Sequence, residues 1–507
     1  MNKLLISLAI SLCAGSLYAL SYPSFLGGGW FPLLFIALPL HLYAMSRSET
    51  LKNYLFAITG FNLGLNLTGY YWIPQTLQEF GNLPYIPALL VSLVFTFILQ
   101  PHWWVYALWL KYRPQLNWQS SLGIFVSAVI LSLLERIIQQ QFPSFVGAPW
   151  LHLAPYLGLT PLFGIIIFSF FTYWISLEAV AQIKKCEFRF LPWVAFFIFA
   201  LLNALTPLEN SESSQTLKAR VVQANIGNFL KVSSEFGDEN SLSSIIDSYR
   251  DLSIGDSDFK ADLIIWPETA YPNEFSKEQS TLPKLFNNIM ESTGAEMLIG
   301  GYTRNPDYSS YEVVFNSSLL FADNKLKASY YKNILIPFGE TLPFGPLNKS
   351  IVELIPAVSL FARGVGGEKL ETRKGQRFIA PICYEILESG FIRKLLNEHQ
   401  DNQFIINLTN DSWYGPTAEP YQHLFLSKWR ALEFALPIIR STNTGVTSVI
   451  YPDGSESKRL LVGEKKVLEE VIPLPPPQNT IYQRWGILPY MLLMMLMGLT
   501  LWWQERN

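Results

Sequence analysis

The apolar residues of this 507-residue chain gather at its two ends, and that placement constrains the fold more than any motif does. A membrane-crossing helix needs about 20 mostly apolar residues. Seven such stretches precede the polar middle, near residues 4–21, 28–45, 54–73, 86–110, 120–138, 157–180 and 190–206, and an eighth, Gly486 to Trp503, follows it. Half of all residues are hydrophobic and only 15% are charged, too apolar a balance for an average soluble protein. Pro101 and His102 interrupt the fourth stretch, while Gly60, Asn62, Gly64 and Asn66 dilute the third. Spans tolerate such residues where neighbouring helices satisfy the backbone.

Short loops rich in Lys and Arg stay in the cytoplasm. Lys3, Arg47, Lys52, Lys111, Arg113, Lys184, Lys185, Arg189 and Arg506 fall on one side of an eight-span arrangement, with Arg136 and Arg484 as exceptions. Both termini are therefore expected inside and residues 207–485 outside. The first stretch also has the form of a cleaved signal peptide, with Lys3 ahead of an apolar run and small residues between Ala14 and Ala19. Cleavage would leave the later spans oriented as before. Ser11-Leu12-Cys13 is a poor lipoprotein processing site, because Leu12 stands where a small residue belongs. The expected organisation is a membrane domain over 1–206, a polar domain over 219–473, and a return linker with the last span over 474–507.

Inside the polar block, short apolar runs alternate with polar helical stretches. Arg220–Asn225, Asp262–Trp266, Glu296–Gly300, Phe378–Ile382, Phe404–Leu408 and Gly445–Ile450 read as strands; Leu282–Ser292, Gly390–His399 and Tyr421–Leu436 read as helices. The alternation predicts an α/β domain. Pro207 to Gln215 reads as the linker into it and Leu474-Pro-Pro-Pro477 as a stiff return. A net charge of −3 without a basic run gives no reason to expect nucleic acid, and the sequence has no Gly-rich phosphate loop and no Cys/His spacing of a zinc site. Neither cofactor nor metal is expected.

Of the three cysteines, Cys13 falls in an apolar stretch and Cys186 in an inner loop, leaving Cys383 as the one thiol of the outward block. It has no disulfide partner within its own domain. A thiol is mostly protonated at neutral pH and needs a base or a nearby positive charge to attack a carbonyl. Two segments offer these, Leu263-Ile-Ile-Trp-Pro-Glu268 and Tyr330-Tyr-Lys332 running on to Glu340. A Cys-His dyad would instead have to draw on His399 or His423, which have no motif around them. Taken singly, Glu268 and Lys332 are ordinary surface charges, and a lone cysteine is a small buried hydrophobe.

The three segments resemble, in the same order and with comparable spacing, the signature stretches of the nitrilase (carbon–nitrogen hydrolase) superfamily. That resemblance implies an αββα sandwich. Hung on a polytopic membrane base, such a domain resembles more narrowly the bacterial apolipoprotein N-acyltransferases, over nearly the whole chain. The residues that carry the likeness are Gln223 and Asn225, Trp266-Pro-Glu268, Lys332 with Pro337-Phe-Gly-Glu340, Cys383-Tyr-Glu385, Asn410-Asp-Ser-Trp413-Tyr-Gly415, Arg440-Ser-Thr-Asn-Thr-Gly445 and Gly147-Ala-Pro-Trp150.

The resemblance implies Glu268 as general base, Lys332 as oxyanion and thiolate stabiliser, and Cys383 as nucleophile. Glu340, Tyr384, Glu385 and Trp413 become supporting or substrate-contacting residues, and Trp150 belongs to a motif near the lipid entrance. Glu340 could equally cap a turn, and Tyr384 and Trp413 could be core aromatics. The chain departs from the family where a loop usually ending Leu-Lys-Trp reads Leu230-Lys231-Val232. The implied reaction is ping-pong: Cys383 takes an acyl chain from a phospholipid and passes it from the thioester to the α-amine of a diacylglyceryl-cysteine apolipoprotein. A monomer in the bacterial inner membrane, with a periplasmic catalytic domain, is expected. The rivals are a membrane-tethered amidase that hydrolyses its acyl-enzyme and an inactive transporter or binding protein.

Overall fold

The computed structural model describes every residue except 1–2, 82, 113–119, 141, 211–212, 214, 228–229, 232–233, 235–236, 256–257, 276–282, 305–311, 338, 343, 351–359, 367 and 507. Val232 and Arg113 therefore lie outside the described residues. The chain divides into two compact units, Met1–Glu209 with Thr417–Phe434 and Thr480–Asn507, and Asn210–Pro416 with Ala435–Asn479.

The first unit is helical. Its most extensive helix pairing joins Lys3–Ala19 to Leu51–Gly69, and the sequence explains how they come so close. A Cβ at Gly60 would lie 2.3 Å from the Leu8 carbonyl oxygen, and one at Gly64 2.1 Å from that of Leu12. Two glycines four apart thus form a flat helix face, the small-residue contact that apolar helices use when burial alone does not drive them together. Thr50 caps its helix by accepting from the Asn53 N–H, and Ser120 caps Ser121–Ile137 by accepting from Gly123.

Among the described residues, one helix, Ile166–Lys185, is by itself long and apolar enough to cross a membrane. Tyr85–Phe97 and His102–Tyr112 meet that test together across a 41° bend, whose break includes Pro101. Lys3–Ala19, Phe31–Ser46 and Leu191–Leu205 are apolar but shorter. Between the helices, residues 143–150 run buried and mostly non-helical, and buried backbone of that kind must find partners. Tyr18 donates to the Ser144 carbonyl and Tyr22 to that of Phe145; Gln100 donates to the Ser144 hydroxyl, and Glu135 accepts from the Val146 N–H. Helix Glu419–Phe434 belongs to this unit too, with Gln422 donating to the Pro23 and Gly69 carbonyls and Trp429 to that of Ala148.

The second unit is a two-sheet α/β sandwich. In chain order its strands are β1 (Gln215–Gln223), β2 (Leu263–Ile265), β3 (Tyr271–Phe275), β4 (Glu296–Arg304), β5 (Glu312–Ala322), β6 (Lys325–Tyr331), β7 (Leu360–Phe361), β8 (Leu370–Glu371), β9 (Arg377–Ile379), β10 (Asn402–Thr409), β11 (Ile438–Thr442), β12 (Ser448–Ile450) and β13 (Lys466–Leu474). One sheet runs β13-β1-β2-β4-β5-β6, with β3 on β4 and β7 on β5; the other runs β12-β11-β10-β9-β8. Both centres are parallel, β1 with β2 and β4, and β9 with β10 and β11. Strands buried on both faces become continuous apolar runs, which is why Leu263-Ile-Ile and Phe404-Ile-Ile announce themselves in the sequence.

Helices Glu239–Ile254 and Lys284–Thr293 cover the first sheet, burying Ile245, Tyr249, Phe286 and Ile289 against Val222, Ile264, Trp266, Met297 and Phe321. Trp266 stacks on Tyr249 and donates to the Ser253 hydroxyl, so the residue two before Glu268 is fixed on both its apolar and its polar side. The sheets are tied to one another by polar groups, with Gln223 accepting from Thr442 and Thr447 and Ser318 donating to the Ala380 carbonyl.

Candidate active site

The three charged or nucleophilic residues read from the sequence come together at strand ends. Glu268 follows β2, Lys332 is the residue after β6, and Cys383 follows β9; all three are buried, at 6%, 1% and 4% exposure. Lys332 Nζ lies 2.7 Å from Glu340 Oε1 and 3.2 Å from Glu268 Oε1. The second oxygens are held as well, Glu268 Oε2 by the Asn410 N–H at 2.8 Å and Glu340 Oε2 by the Ile336 N–H at 3.0 Å. Glu340 therefore does more than cap a turn. With one ammonium between two carboxylates, burial alone would push Lys332 down, but Glu268, Glu340 and Cys383 carry it well above the ordinary lysine value. It stays charged, with a third N–H beyond the two spent on the carboxylates.

The thiol has the opposite problem. Burial pushes Cys383 well above its ordinary value, and Glu268 and Asp411 add to that while Lys332 pulls down. At rest the sulfur keeps its proton, so attack requires a base to take it as the bond forms.

Glu385 joins the turn that bears Cys383 to the segment that bears Lys332. Its carboxylate accepts from the Tyr330 hydroxyl at 2.7 Å, the Ile382 N–H at 2.8 Å, and the N–H groups of Asn333 and Ile334 at 2.6 and 2.9 Å. Burial pushes this carboxyl up to about 7 against the pull of those donors. Tyr384 and Trp413 are half-buried, Tyr384 edge-on to Tyr414 at 6.4 Å between ring centroids. Trp150 belongs to the helical unit, where it donates to the Thr172 hydroxyl at 2.8 Å and packs among Phe31, Phe35, Phe168 and Phe199.

Sequence reading missed Asn316, in the middle of β5. Its Nδ2 donates to Glu268 Oε1 at 2.7 Å and to Glu340 Oε1 at 3.3 Å, and its backbone carbonyl accepts from the Lys332 N–H at 2.8 Å. A single residue thus touches both carboxylates and the backbone of Lys332. Gly300 was missed too: a Cβ there would lie 2.2 Å from the Pro267 carbonyl oxygen and 2.6 Å from Glu268 Cα, so β4 can pass this close to Glu268 only without a side chain. Lys231, beside the undescribed Val232, donates to the Thr269 hydroxyl next to Glu268.

Two family models match the chain: "Carbon-nitrogen hydrolase" over residues 218–474 and "Apolipoprotein N-acyltransferase N-terminal domain" over residues 14–178. An apolipoprotein N-acyltransferase of Bdellovibrio bacteriovorus is 31% identical over 498 residues, covering 92% of this chain and 88% of its own. One of Pseudomonas aeruginosa is 28% identical over 525 residues, covering 98% and 97%.

Proposed function

This chain belongs to the apolipoprotein N-acyltransferase family and is an acyltransferase of the carbon–nitrogen hydrolase superfamily, and on that premise we propose that it carries an acyl chain on Cys383 from a membrane phospholipid to the α-amine of a diacylglyceryl-cysteine apolipoprotein. Glu268 takes the thiol proton as sulfur attacks the ester carbonyl, and returns it to the departing lysophospholipid oxygen. The amine of the acceptor then attacks the thioester, its proton passes to Glu268, and the Cys383 thiol is restored. Lys332 faces the oxyanion formed in each half. Asn316 and Glu340 hold the base and the ammonium in place, and Glu385 fixes the turn that bears the thiol.

The observation that carries this reading is the ion cluster of buried Glu268 and Lys332 with partly buried Glu340, acting on a thiol that burial keeps protonated. Eight spans, both termini in the cytoplasm, and a catalytic unit outside the inner membrane complete the proposal. With that topology the thioester would meet two lipids of the outer leaflet without either leaving the bilayer. Intact-protein mass spectrometry after incubation with phospholipid should show one acyl adduct on Cys383, removed by a diacylated lipopeptide that becomes N-acylated. An adduct that persists in Cys383→Ala, or that yields only free fatty acid, refutes the transfer.

A further inference from the structure

Cys383 has φ of +54°, a left-handed backbone that a residue with a side chain keeps only where its surroundings impose it. Two hydrogen bonds span the strained residue. Asn407 Nδ2 donates to the Pro381 carbonyl and to that of Cys383 itself, each at 3.1 Å. Asn407 lies in β10, fully buried, with its Oδ1 accepting from Arg440 Nη1 at 3.1 Å across the β10–β11 pairing. Nη2 of the same guanidinium pairs with Asp411 Oδ2 at 2.8 Å, and neither side chain is exposed. Asp411 follows Asn410, whose N–H holds Glu268 Oε2. One planar cation therefore reaches the nucleophile through Asn407 and the base through the Asn410–Asp411 turn.

We propose that Arg440 is a positioning residue for thioester formation: through Asn407 and Asp411 it sets the Cys383 thiol and the Glu268 carboxylate at a fixed separation, without touching a reacting atom. A lysine could not do this, because a point ammonium lacks the fork that binds two partners in fixed directions. Nor does stability explain the pair, since buried ion pairs are often no better than apolar replacements. The inference rests on Cys383 as the acyl carrier.

Asn407→Asp is the decisive variant. It keeps the shape and the Arg440 partner but turns the donor facing the two carbonyls into an acceptor. Arg440→Lys keeps the charge and loses the fork. In the full-length chain in detergent, with phospholipid as acyl donor, both variants should lower kcat for the Cys383 adduct about 100-fold, with KM for the donor within about a factor of two of the parent. The Cys383 thiol should still be alkylated by iodoacetamide. An Asn407→Asp rate within about threefold of the parent, or a change confined to KM, overturns the proposal, as does loss of folding in both variants, which would mark a purely structural brace. Should Arg440→Lys alone fail to fold, Asn407→Asp decides. A parent chain that forms no adduct at all would refute the acyl-carrier reading instead.

Discussion

Replacing Lys332 by Met should remove more than one charge. The ammonium sits 2.7 Å from an oxygen of the partly buried Glu340 and 3.2 Å from one of the buried Glu268. At an effective dielectric near 20 those contacts are attractive by about 5–6 kcal/mol each before desolvation. Breaking a buried pair by deleting one partner typically costs about 3–5 kcal/mol, roughly 6–20 °C in melting temperature for a domain of this size. Adding Glu340→Gln removes one of the two stranded carboxylates and should recover about half of the lost stability, yet no activity, because the oxyanion still lacks its cation. Thermal melts, with intact-mass detection of the acyl adduct, test both halves. A Lys332→Met melt within about 1 °C of the parent, or adduct formation within about tenfold of it, would refute the account of the ammonium as the shared counter-ion.

The remaining predictions concern its neighbours. Glu268→Gln removes a charge that raises the Cys383 thiol, so the pH midpoint for iodoacetamide alkylation should move down while acyl transfer is lost; an unchanged midpoint argues that the two groups do not interact. Glu385 titrates at about 7 when folded and near 4.3 unfolded, so the folded state holds the extra proton between those values and the stability present below the lower one is lost as pH rises through 7, by as much as about 4 kcal/mol. Melts of Glu385→Gln should lack that increment, whatever its effect on activity. Gly300→Ala forces the Pro267–Glu268 backbone away from β4, with a cost of about 1–3 kcal/mol and a fall in kcat larger than that in thermal stability; full activity would show that the backbone can yield without moving Glu268.

What the sequence revealed depended on how each element buries itself. The parallel centres were legible because β2, β9 and β10 carry apolar runs, and Glu268 and Cys383 were found in short motifs directly after two of them. The strand β11 was not legible: Arg440, Ser441 and Thr442 break its apolar run, and all three are fully buried, which no hydropathy pattern foreshadows. The β5–β6 hairpin was missed although Asp323-Asn324 between two strand-like runs is a two-residue turn signal, with both residues at positive φ. Asn316 and Asn407 left no trace, since an amide in mid-strand has no characteristic spacing and matters only through what folds against it. Gly60 and Gly64 dilute the hydropathy of their stretch, and it is their four-residue interval that signals close helix packing.

The helix Glu419–Phe434 has a consequence for anyone who would handle the enzyme in pieces. In the chain it lies between β10 and β11, yet Gln422 and Trp429 are satisfied by the carbonyls of Pro23, Gly69 and Ala148 and Glu433 by the Ile165 N–H. Severing the polypeptide at the linker and the return segment would not release a water-soluble catalyst, because the fragment would bear a helix stripped of its neighbours and of the hydrogen-bond partners that satisfy it. The two parts cannot be exchanged between relatives as separate cassettes unless this one helix travels with its hosts.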